Sequence, residues 1–250
     1  MKLARYQDGP EIFRSLQGEG RHAGRPSVFV RCSSCNLHCR WCDTDYTWNW
    51  VGTRFVHEND VLPGYRKYSE HAEVIELGVE EVRRYVLALE EHHVVLTGGE
   101  PLLQQRELTV LMRELGAADS RYRFEIETNG TLFPEPALLQ RVEQVNVSPK
   151  LANSGVAPHL RMRPEVLSAW AGFPRADFKF VLDSEQDLLE VQRLSQQLGL
   201  SGDRVFLMPQ GTSSEQLSSK LRWLRRHAER LGYRISDRLH IHAFGDQRAS

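Results

Sequence analysis

The chain contains 250 residues, of which 40% are hydrophobic and 26% are charged. A chain of this size can bury a substantial core, which excludes a peptide, a disulfide mini-protein and a disordered tail. Lys and Arg total 32 against 33 Asp and Glu, so the net charge of −1 gives no overall attraction for nucleic acid or an anionic membrane. We therefore expect neither partner, and any charged ligand must be held by local side chains.

Short β-branched runs alternate with stretches of helical periodicity, a pattern typical of parallel sheets built from strand–helix crossovers. The predicted strands cover residues 27–31, 94–97, 123–127, 142–147, 178–182, 204–208 and 239–242. The predicted helices cover residues 79–91, 104–115, 185–198 and 214–231. About six parallel strands with helices outside them predict an α/β fold, a partial (open) TIM-like barrel.

Two segments interrupt this alternation. Residues 45–78 contain aromatic, Gly and Pro residues without clear periodicity, which indicates an irregular insertion rather than a second domain. Residues 151–174 form a second irregular stretch, in which Pro158, Pro164 and Pro174 are expected to break regular structure. No repeat or linker divides the chain, so we expect residues 1–250 to form a single domain.

All four cysteines, Cys32, Cys35, Cys39 and Cys42, lie in one short window. A secreted disulfide framework would spread its pairs along the chain and follow a signal peptide, for which the first residues lack an apolar segment. No run of about 18 apolar residues occurs either. We therefore expect a cytoplasmic protein whose cysteines bind a ligand rather than one another.

The cysteine spacing has two interpretations. Two C-x2-C pairs would resemble a structural zinc site, but zinc ribbons separate such pairs by about a dozen residues or more, and only residues 36–38 intervene here. The other interpretation takes Cys35, Cys39 and Cys42 as C-x3-C-x2-C and leaves Cys32 as a buried small hydrophobe. Three thiolates in one loop can hold a 4Fe-4S cluster and leave its fourth iron open.

The C-x3-C-x2-C loop closely resembles that of the radical S-adenosylmethionine (SAM) enzymes. In that superfamily the open iron binds SAM, and an electron from the cluster cleaves it to a 5′-deoxyadenosyl radical. Residues 97–101 (TGGEP) follow a predicted strand and are similar to the superfamily's GGEP motif, and other polar strand ends would meet at the same rim of the barrel. The SAM contacts implied by the resemblance are Trp41, Asp43, Gly98, Gly99, Glu100, Glu127, Asn129, Ser148, Pro149, Lys150, Met208, Pro209 and Gln210.

The N-terminal segment FRSLQGEG (residues 13–20), with GRPS (24–27) and Arg31, is similar to the 7-carboxy-7-deazaguanine synthases. CDT (42–44), Trp48, Thr97 and SPK (148–150) match that family's pattern too. The resemblance covers nearly the whole chain and is weakest in the two irregular segments. The family converts 6-carboxy-5,6,7,8-tetrahydropterin to 7-carboxy-7-deazaguanine with loss of ammonia, in 7-deazapurine and queuosine biosynthesis, a pathway that leads to tRNA modification.

The resemblance therefore implies a carbon–nitrogen lyase with a 4Fe-4S cluster, SAM and Mg²⁺. Thr44 would give one oxygen to the Mg²⁺, although a threonine here could instead cap the following turn. The resemblance also implies a homodimer and an electron donor such as flavodoxin or ferredoxin. The implied pterin contacts are Leu16, Gln17, Gly18, Glu19, Arg31, Thr97 and His242. Residues 245–250 receive no role.

Two other functions remain open. A radical SAM activase that forms a glycyl radical on a protein partner would explain the three cysteines and the GGEP-like motif, but not the segment 16–20 or the lack of further ferredoxin cysteines. A zinc-binding interaction module with an α/β body, acting on RNA, would explain the cysteine pairs. The neutral net charge and the lack of a basic stripe with interleaved aromatics disfavour that module.

Overall fold

One 11-stranded sheet organises the computed structural model of the chain, which describes residues 1–249. Its strands are β1 (Lys2–Tyr6), β2 (Gly9–Pro10), β3 (Ile12–Leu16), β4 (Pro26–Cys32), β5 (Val74–Glu76), β6 (His93–Gly98), β7 (Arg123–Thr128), β8 (Gln144–Val147), β9 (Ala176–Leu182), β10 (Val205–Pro209) and β11 (Arg234–Ile235). Their spatial order is β11-β10-β9-β8-β7-β6-β4-β1-β2, while β3 pairs with β4 and β5 pairs with β1.

β4 and β6–β11 form one continuous array in which each strand pairs in parallel with the next, as the alternating sequence pattern predicts. Every residue of β9 and of β10 is buried, as expected of parallel strands covered on both faces. In the described chain β11 pairs only with β10, so the array does not close on β4. The predicted open, partial barrel is confirmed.

Helices cover the outside of the sheet. They are α1 (Glu70–Glu73), α2 (Val79–Ala88), α3 (Gln105–Ala118), α4 (Pro136–Leu139), α5 (Pro158–Arg161), α6 (Pro164–Ala171), α7 (Glu185–Gln197), α8 (Ser214–Leu231) and α9 (Leu239–Phe244). α3 shows why they dock, because Leu108, Leu111, Met112 and Leu115 recur at helical spacing and are all fully buried. Single 3-10 turns cover Asp45–Thr47, Glu58–Val61, Pro101–Gln104, Ala152–Ser154 and Gly202–Arg204.

The strand predicted at residues 239–242 is wrong, because this segment is helix α9. β11 takes the place beside β10 that the last predicted strand would have had. The segment instead turns back over the barrel, and the Leu239 amide donates to the Gly18 carbonyl at 3.0 Å. A helix changes which side chains share a face, and this matters for the site described below.

Both segments predicted to be irregular contain regular structure. Within residues 45–78, β5 joins the sheet beside β1, and α1 precedes it. Within residues 151–174, Pro158 and Pro164 occupy the first positions of α5 and α6, where proline has no hydrogen bond to lose. These two prolines begin helices rather than break them. The antiparallel strands β1–β3 were not predicted.

None of the described helices combines the length and the apolar character that crossing a membrane requires.

Candidate active site

A cavity opens at the carboxyl ends of the parallel strands, on the rim where the sequence predicts the site. Most of the predicted site residues line it. These are Leu16, Gln17, Gly18, Glu19, Arg31, Cys35, Cys39, Trp41, Cys42, Asp43, Thr44, Thr97, Gly98, Gly99, Glu127, Asn129, Ser148, Lys150, Met208, Pro209 and Gln210. One cavity therefore joins the residues assigned to the cluster, to SAM and to the pterin.

Glu100, Pro149 and His242 do not line the cavity in the described chain. Glu100 is fully buried, and its carboxylate accepts hydrogen bonds from the backbone amides of Leu102 and Asn129 and from the Thr128 hydroxyl. Its two oxygens are thus used to join strand ends, and burial raises its pKa. The structure therefore places Glu100, a predicted SAM contact, behind the rim that it supports and not among the residues that line the cavity.

His242 points away from the cavity, and His240 lines it instead. In a strand the two histidines would share a face, whereas two residues of helix α9 differ by about 200° of rotation. The exposed His242 ring lies 3.0 Å from the Asp237 carboxylate. The structure therefore does not bring His242, the predicted pterin contact, into the cavity, because residues 239–242 form a helix and not the predicted strand.

The cysteine loop leaves β4 and returns over the cavity. Cys32, the last residue of β4, is 0% exposed and packs in the main hydrophobic core, as expected for the cysteine outside the triad. Cys35, Cys39 and Cys42 face the cavity and are unpaired thiols. The Trp41 indole donates to the Asn153 carbonyl at 3.0 Å, and the Arg40 amide donates to the Ser154 carbonyl at 2.9 Å.

The three cavity thiols suit an iron–sulfur cluster better than one zinc ion. Tetrahedral zinc holds its sulfurs about 3.8 Å apart, given Zn–S bonds of about 2.3 Å. In the described chain the sulfurs of Cys35, Cys39 and Cys42 do not all lie within 4.8 Å of one another. Burial raises the pKa of each thiol, for Cys39 to about 12, so only a strongly binding metal centre would deprotonate all three.

Gly98 and Gly99 bring the end of β6 against the cysteine loop. Cys32 is in register with Gly98, whose φ of +122° disfavours other residues. The Gly99 amide donates to the Cys32 carbonyl at 3.0 Å, and the Glu100 amide donates to the Ser34 carbonyl at 2.9 Å. The GGEP-like motif therefore fixes the loop that carries the cysteines, as well as lining the cavity.

A buried network of charges forms another part of the cavity wall. The Glu19 carboxylate contacts the Lys179 ammonium, and it accepts from the Arg238 Nε at 3.0 Å. Arg238 also bonds the Asp43 carboxylate. Burial alone would raise the pKa of Glu19, but the charges of Lys179, Arg238 and His240 outweigh it and hold the pKa well below its ordinary value. Glu19 is therefore ionised at neutral pH.

Comparison with known proteins identifies the architecture. The Radical SAM superfamily matches residues 30–163. A 7-carboxy-7-deazaguanine synthase of Pyrobaculum aerophilum is 40% identical over 243 residues, which are 95% of each chain. One of Rhodopirellula baltica is 34% identical over 255 residues, 96% of this chain and 87% of its own. The chain belongs to the 7-carboxy-7-deazaguanine synthase family.

A solved structure agrees with this family assignment. The crystal structure of QueE from Escherichia coli superposes with a TM-score of 0.64 at 25% identity, covering 96% of this chain and 95% of that one. The chain is thus a radical SAM enzyme, a class that works with a 4Fe-4S cluster and SAM. The three cavity thiols are the part of this family member that fits such a cluster.

Three residues that line the cavity of this family member received no predicted role, namely Lys179, Arg238 and His240. Lys179 did carry a signal, because it is a lone cation inside the apolar strand β9. A buried lysine requires an anionic partner, but the partner lies 160 residues away along the chain. Nothing in the local pattern around Arg238 or His240 distinguishes them from surface residues.

We expect Gly99→Ala to release the cysteine loop. A Cβ at this position would lie 2.1 Å from the Ser34 carbonyl oxygen and 3.2 Å from the Cys35 Cβ, so the loop must move. After anaerobic reconstitution the variant should hold less than half the iron of the wild type. Gly116→Ala, in α3 with open space around it, is the matched control and should keep its iron. Equal iron in both variants would contradict this role of Gly99.

Proposed function

We propose that the protein converts 6-carboxy-5,6,7,8-tetrahydropterin to 7-carboxy-7-deazaguanine with loss of ammonia, in 7-deazapurine and queuosine biosynthesis. The observation that carries this proposal is the single cavity, in which the cysteine loop faces the segment 16–19 and Arg31. A radical generated beside the cysteines would meet its substrate without crossing open solvent. The names of the relatives support the same reaction.

Cys35, Cys39 and Cys42 would hold the 4Fe-4S cluster as its three protein ligands. When bound, the cluster and SAM supply a 5′-deoxyadenosyl radical that abstracts hydrogen from the substrate. Trp41 and Lys150, whose ammonium lies 6.0 Å from the indole centroid, flank the cysteines and would position SAM. Gly98, Gly99, Asn129 and the strand ends at 148–150 and 208–210 complete the proposed SAM wall.

Arg31 is our proposed partner for the pterin carboxylate. Its Nε donates to Glu11 at 2.7 Å, and the described chain gives its terminal nitrogens no further hydrogen bond. The planar guanidinium is thereby held in place with its outer nitrogens available, the arrangement that bidentate carboxylate recognition needs. Burial would lower the pKa of Arg31, but Tyr46 and Glu11 outweigh it and raise the pKa, so the cation persists.

Gln17 and Glu19 would present fixed polar groups to the pterin ring. The Gln17 amide donates to Glu125 at 2.6 Å, and its oxygen accepts from the Glu19 backbone amide at 3.1 Å. Thr97 donates to Glu127 at 2.7 Å on the next strand. Lys179 lies within 3.9 Å of Glu127 and also contacts Glu19, which connects both carboxylates to one cation. Leu16 and Gly18 border the same wall.

Thr44 is the proposed protein ligand of Mg²⁺, an ion that accepts few protein oxygens and keeps water or ligand oxygens. Thr44 precedes the turn Asp45–Thr47, yet its side chain makes no capping hydrogen bond. The hydroxyl lies in the cavity, 3.5 Å from the Cys42 sulfur. A hydroxyl that lies in the cavity and does not cap the turn supports the metal role over the capping role.

We expect Thr44→Val to weaken the response to Mg²⁺ without loss of iron, because valine keeps the shape and removes the oxygen. The Mg²⁺ concentration for half-maximal activity should rise about ten-fold, the effect of losing one ligand worth about 1.4 kcal/mol. Thr53→Val, whose hydroxyl donates to the Trp50 carbonyl outside the cavity, is the control and should leave this concentration unchanged. An unchanged Mg²⁺ response in Thr44→Val would refute the role.

Further parts of the proposal concern the whole protein. We propose that residues 1–250 form one radical SAM core domain, since one sheet runs through the described chain. We also propose a cytoplasmic homodimer that takes its electron from a flavodoxin or ferredoxin. Free thiols in a cofactor loop agree with a reducing compartment.

Anaerobic turnover tests the proposed reaction. Reconstituted protein given the carboxytetrahydropterin, SAM, Mg²⁺ and dithionite should release a product with the mass of 7-carboxy-7-deazaguanine. A glycyl-radical activase would cleave SAM but leave the pterin intact. A zinc module would be colourless, whereas a 4Fe-4S protein is brown and bleaches with dithionite. Intact pterin in a brown, SAM-cleaving protein would overturn the proposed substrate.

A further inference from the structure

Glu125, in the middle of β7, gathers polar side chains inside the barrel, outside the residues that line the cavity. Its Oε1 accepts from the amides of Gln17 at 2.6 Å and Asn146 at 2.7 Å. Its Oε2 lies 2.6 Å from the Nδ1 of His22 and 3.5 Å from the Nε2 of His93. The side chains of Glu125 and His93 are 0% exposed. One oxygen is therefore satisfied by amides, and the other faces two imidazoles.

The Ser27 hydroxyl lies 2.7 Å from the Nδ1 of His93 and 3.0 Å from the Arg25 carbonyl. When Nδ1 carries the proton, it donates to the Ser27 oxygen, and the hydroxyl donates to that carbonyl. In this arrangement the Nε2 of His93 has a lone pair with which it can bind a metal ion. This Nε2 is buried and has no hydrogen-bond partner in the described chain.

Both imidazoles approach the same oxygen of the Glu125 carboxylate. A metal ion among the three side chains would be bound by both rings and by the carboxylate, and it would give the buried Nε2 of His93 a partner. Burial raises the pKa of Glu125, but its contacts with His22 and His93 outweigh burial and lower the pKa to about 2.

We propose that His22, His93 and Glu125 form a zinc site, distinct from the iron–sulfur and magnesium sites and independent of the proposed reaction. One ligand atom from each residue lies within 4.8 Å of the others, the only such group in the described chain. Two imidazoles and one carboxylate are a known zinc ligand set, and imidazole favours zinc over Mg²⁺ or Ca²⁺.

The surroundings already have the form of an outer coordination shell. Metal-bound histidines usually donate their other N–H to an oxygen, as His93 can to Ser27, and ligating carboxylates are usually hydrogen-bonded, as Glu125 is by two amides. The His22 side chain is 19% exposed, which gives the ion a path from solvent. Zinc would take the Nδ1 lone pair of His22, and the proton now shared with Glu125 would move to the Nε2 or to water.

A zinc ion bound here would link the loop that follows β3 with the two strands β6 and β7. His22 lies in that loop, whose neighbour Gln17 lines the cavity. We therefore expect zinc to raise the thermal stability of the barrel. A fourth ligand from water would complete the tetrahedron.

Zinc binding to the anaerobically reconstituted protein tests the site. His93→Gln and His22→Gln each remove one ligand. Because His22→Gln alters only a partly exposed ring, it can still test the site if His93→Gln disturbs the fold. His92→Gln is the control, because this adjacent imidazole pairs with Asp119 outside the cluster at 3.1 Å. Iron content and product formation show that each variant folds.

We expect about one zinc per chain in the wild type and in His92→Gln, with X-ray absorption showing nitrogen and oxygen ligands at about 2.0–2.1 Å. Zinc affinity should fall at least ten-fold in both ligand variants, and zinc should raise the melting temperature only where the site is intact. A sulfur shell at about 2.3 Å would mean that zinc sits on the cysteines and would overturn the proposal. Failure of the wild type to bind zinc more tightly than His93→Gln would overturn it too.

Discussion

Alanine at Cys35, Cys39 or Cys42 is expected to remove the cluster and with it all measurable turnover. Each of these thiols lines the cavity, and three thiolates are the proposed protein ligands. Loss of one leaves too few ligands to retain a cluster in a site partly open to solvent. Iron should fall from about four atoms per chain to near zero. Iron content and the visible absorption measured after reconstitution check this result.

Cys32→Ser is the matched control, since it removes a thiol from the same window without touching the cavity. Cys32 is 0% exposed in the hydrophobic core, so the buried hydroxyl should cost about 1–3 kcal/mol of stability. The iron content should nevertheless stay near that of the wild type. Cys32→Ala introduces no buried polar group, so it serves as a second control if the serine variant unfolds. Equal iron loss from all four positions would contradict the assignment of three ligands.

Glu19→Gln is expected to lower both stability and activity. The side chains of Lys179 and Arg238 are 6% and 8% exposed, and the substitution removes the carboxylate that both of them contact. Arg238 keeps Asp43, and Lys179 keeps Glu127 at 3.9 Å, so the loss of stability should be about 1–3 kcal/mol, below the cost of about 3–5 kcal/mol for a buried charge left wholly unpaired. The loss of kcat/KM should be about 100-fold, equivalent to about 3 kcal/mol of transition-state stabilisation. Denaturant unfolding and steady-state kinetics measure the two effects separately.

The pH dependence of this effect follows from the lowered pKa of Glu19. A carboxylate with a depressed pKa stabilises the fold fully above its ordinary pKa of 4.5, and the stabilisation is lost only as the pH falls below that value. The stability difference between wild type and Glu19→Gln should therefore be constant from pH 6 to 8.

The control for Glu19→Gln is Glu76→Gln, which breaks an exposed ion pair with Lys2 at 3.6 Å. Such a surface pair contributes little, so the variant should change stability by less than about 1 kcal/mol and leave activity intact. A Glu19→Gln variant as stable and active as Glu76→Gln would show that the buried network has neither role.

The sequence predicted best what is local along the chain. The cysteine spacing and the GGEP-like motif each lie in one loop, and each follows a strand whose β-branched run was recognisable. The parallel strands and the rim at their carboxyl ends follow from that alternation. The segment 16–19 was found through family resemblance rather than through periodicity, because β3 is a partly exposed antiparallel strand.

The sequence-based predictions failed where tertiary contacts determine the local structure or the partner of a side chain. Residues 239–242 alternate like a strand, but β11 takes the place beside β10, and this segment packs as a helix against Gly18. Pro158 and Pro164 were taken as breakers, although proline is equally suited to the first turn of a helix. The Glu19 contacts with Lys179 and Arg238 span 160 and 219 residues, and no pattern in a single sequence reveals such pairs.

The ratio of products in one anaerobic reaction tests the proposed function most directly. We propose that SAM is regenerated in this reaction, so that it acts as a cofactor and is not consumed. Deazaguanine and ammonia should therefore appear in equal amounts and exceed 5′-deoxyadenosine many-fold in the presence of the carboxytetrahydropterin. Accumulation of 5′-deoxyadenosine without deazaguanine or ammonia would contradict the proposed reaction.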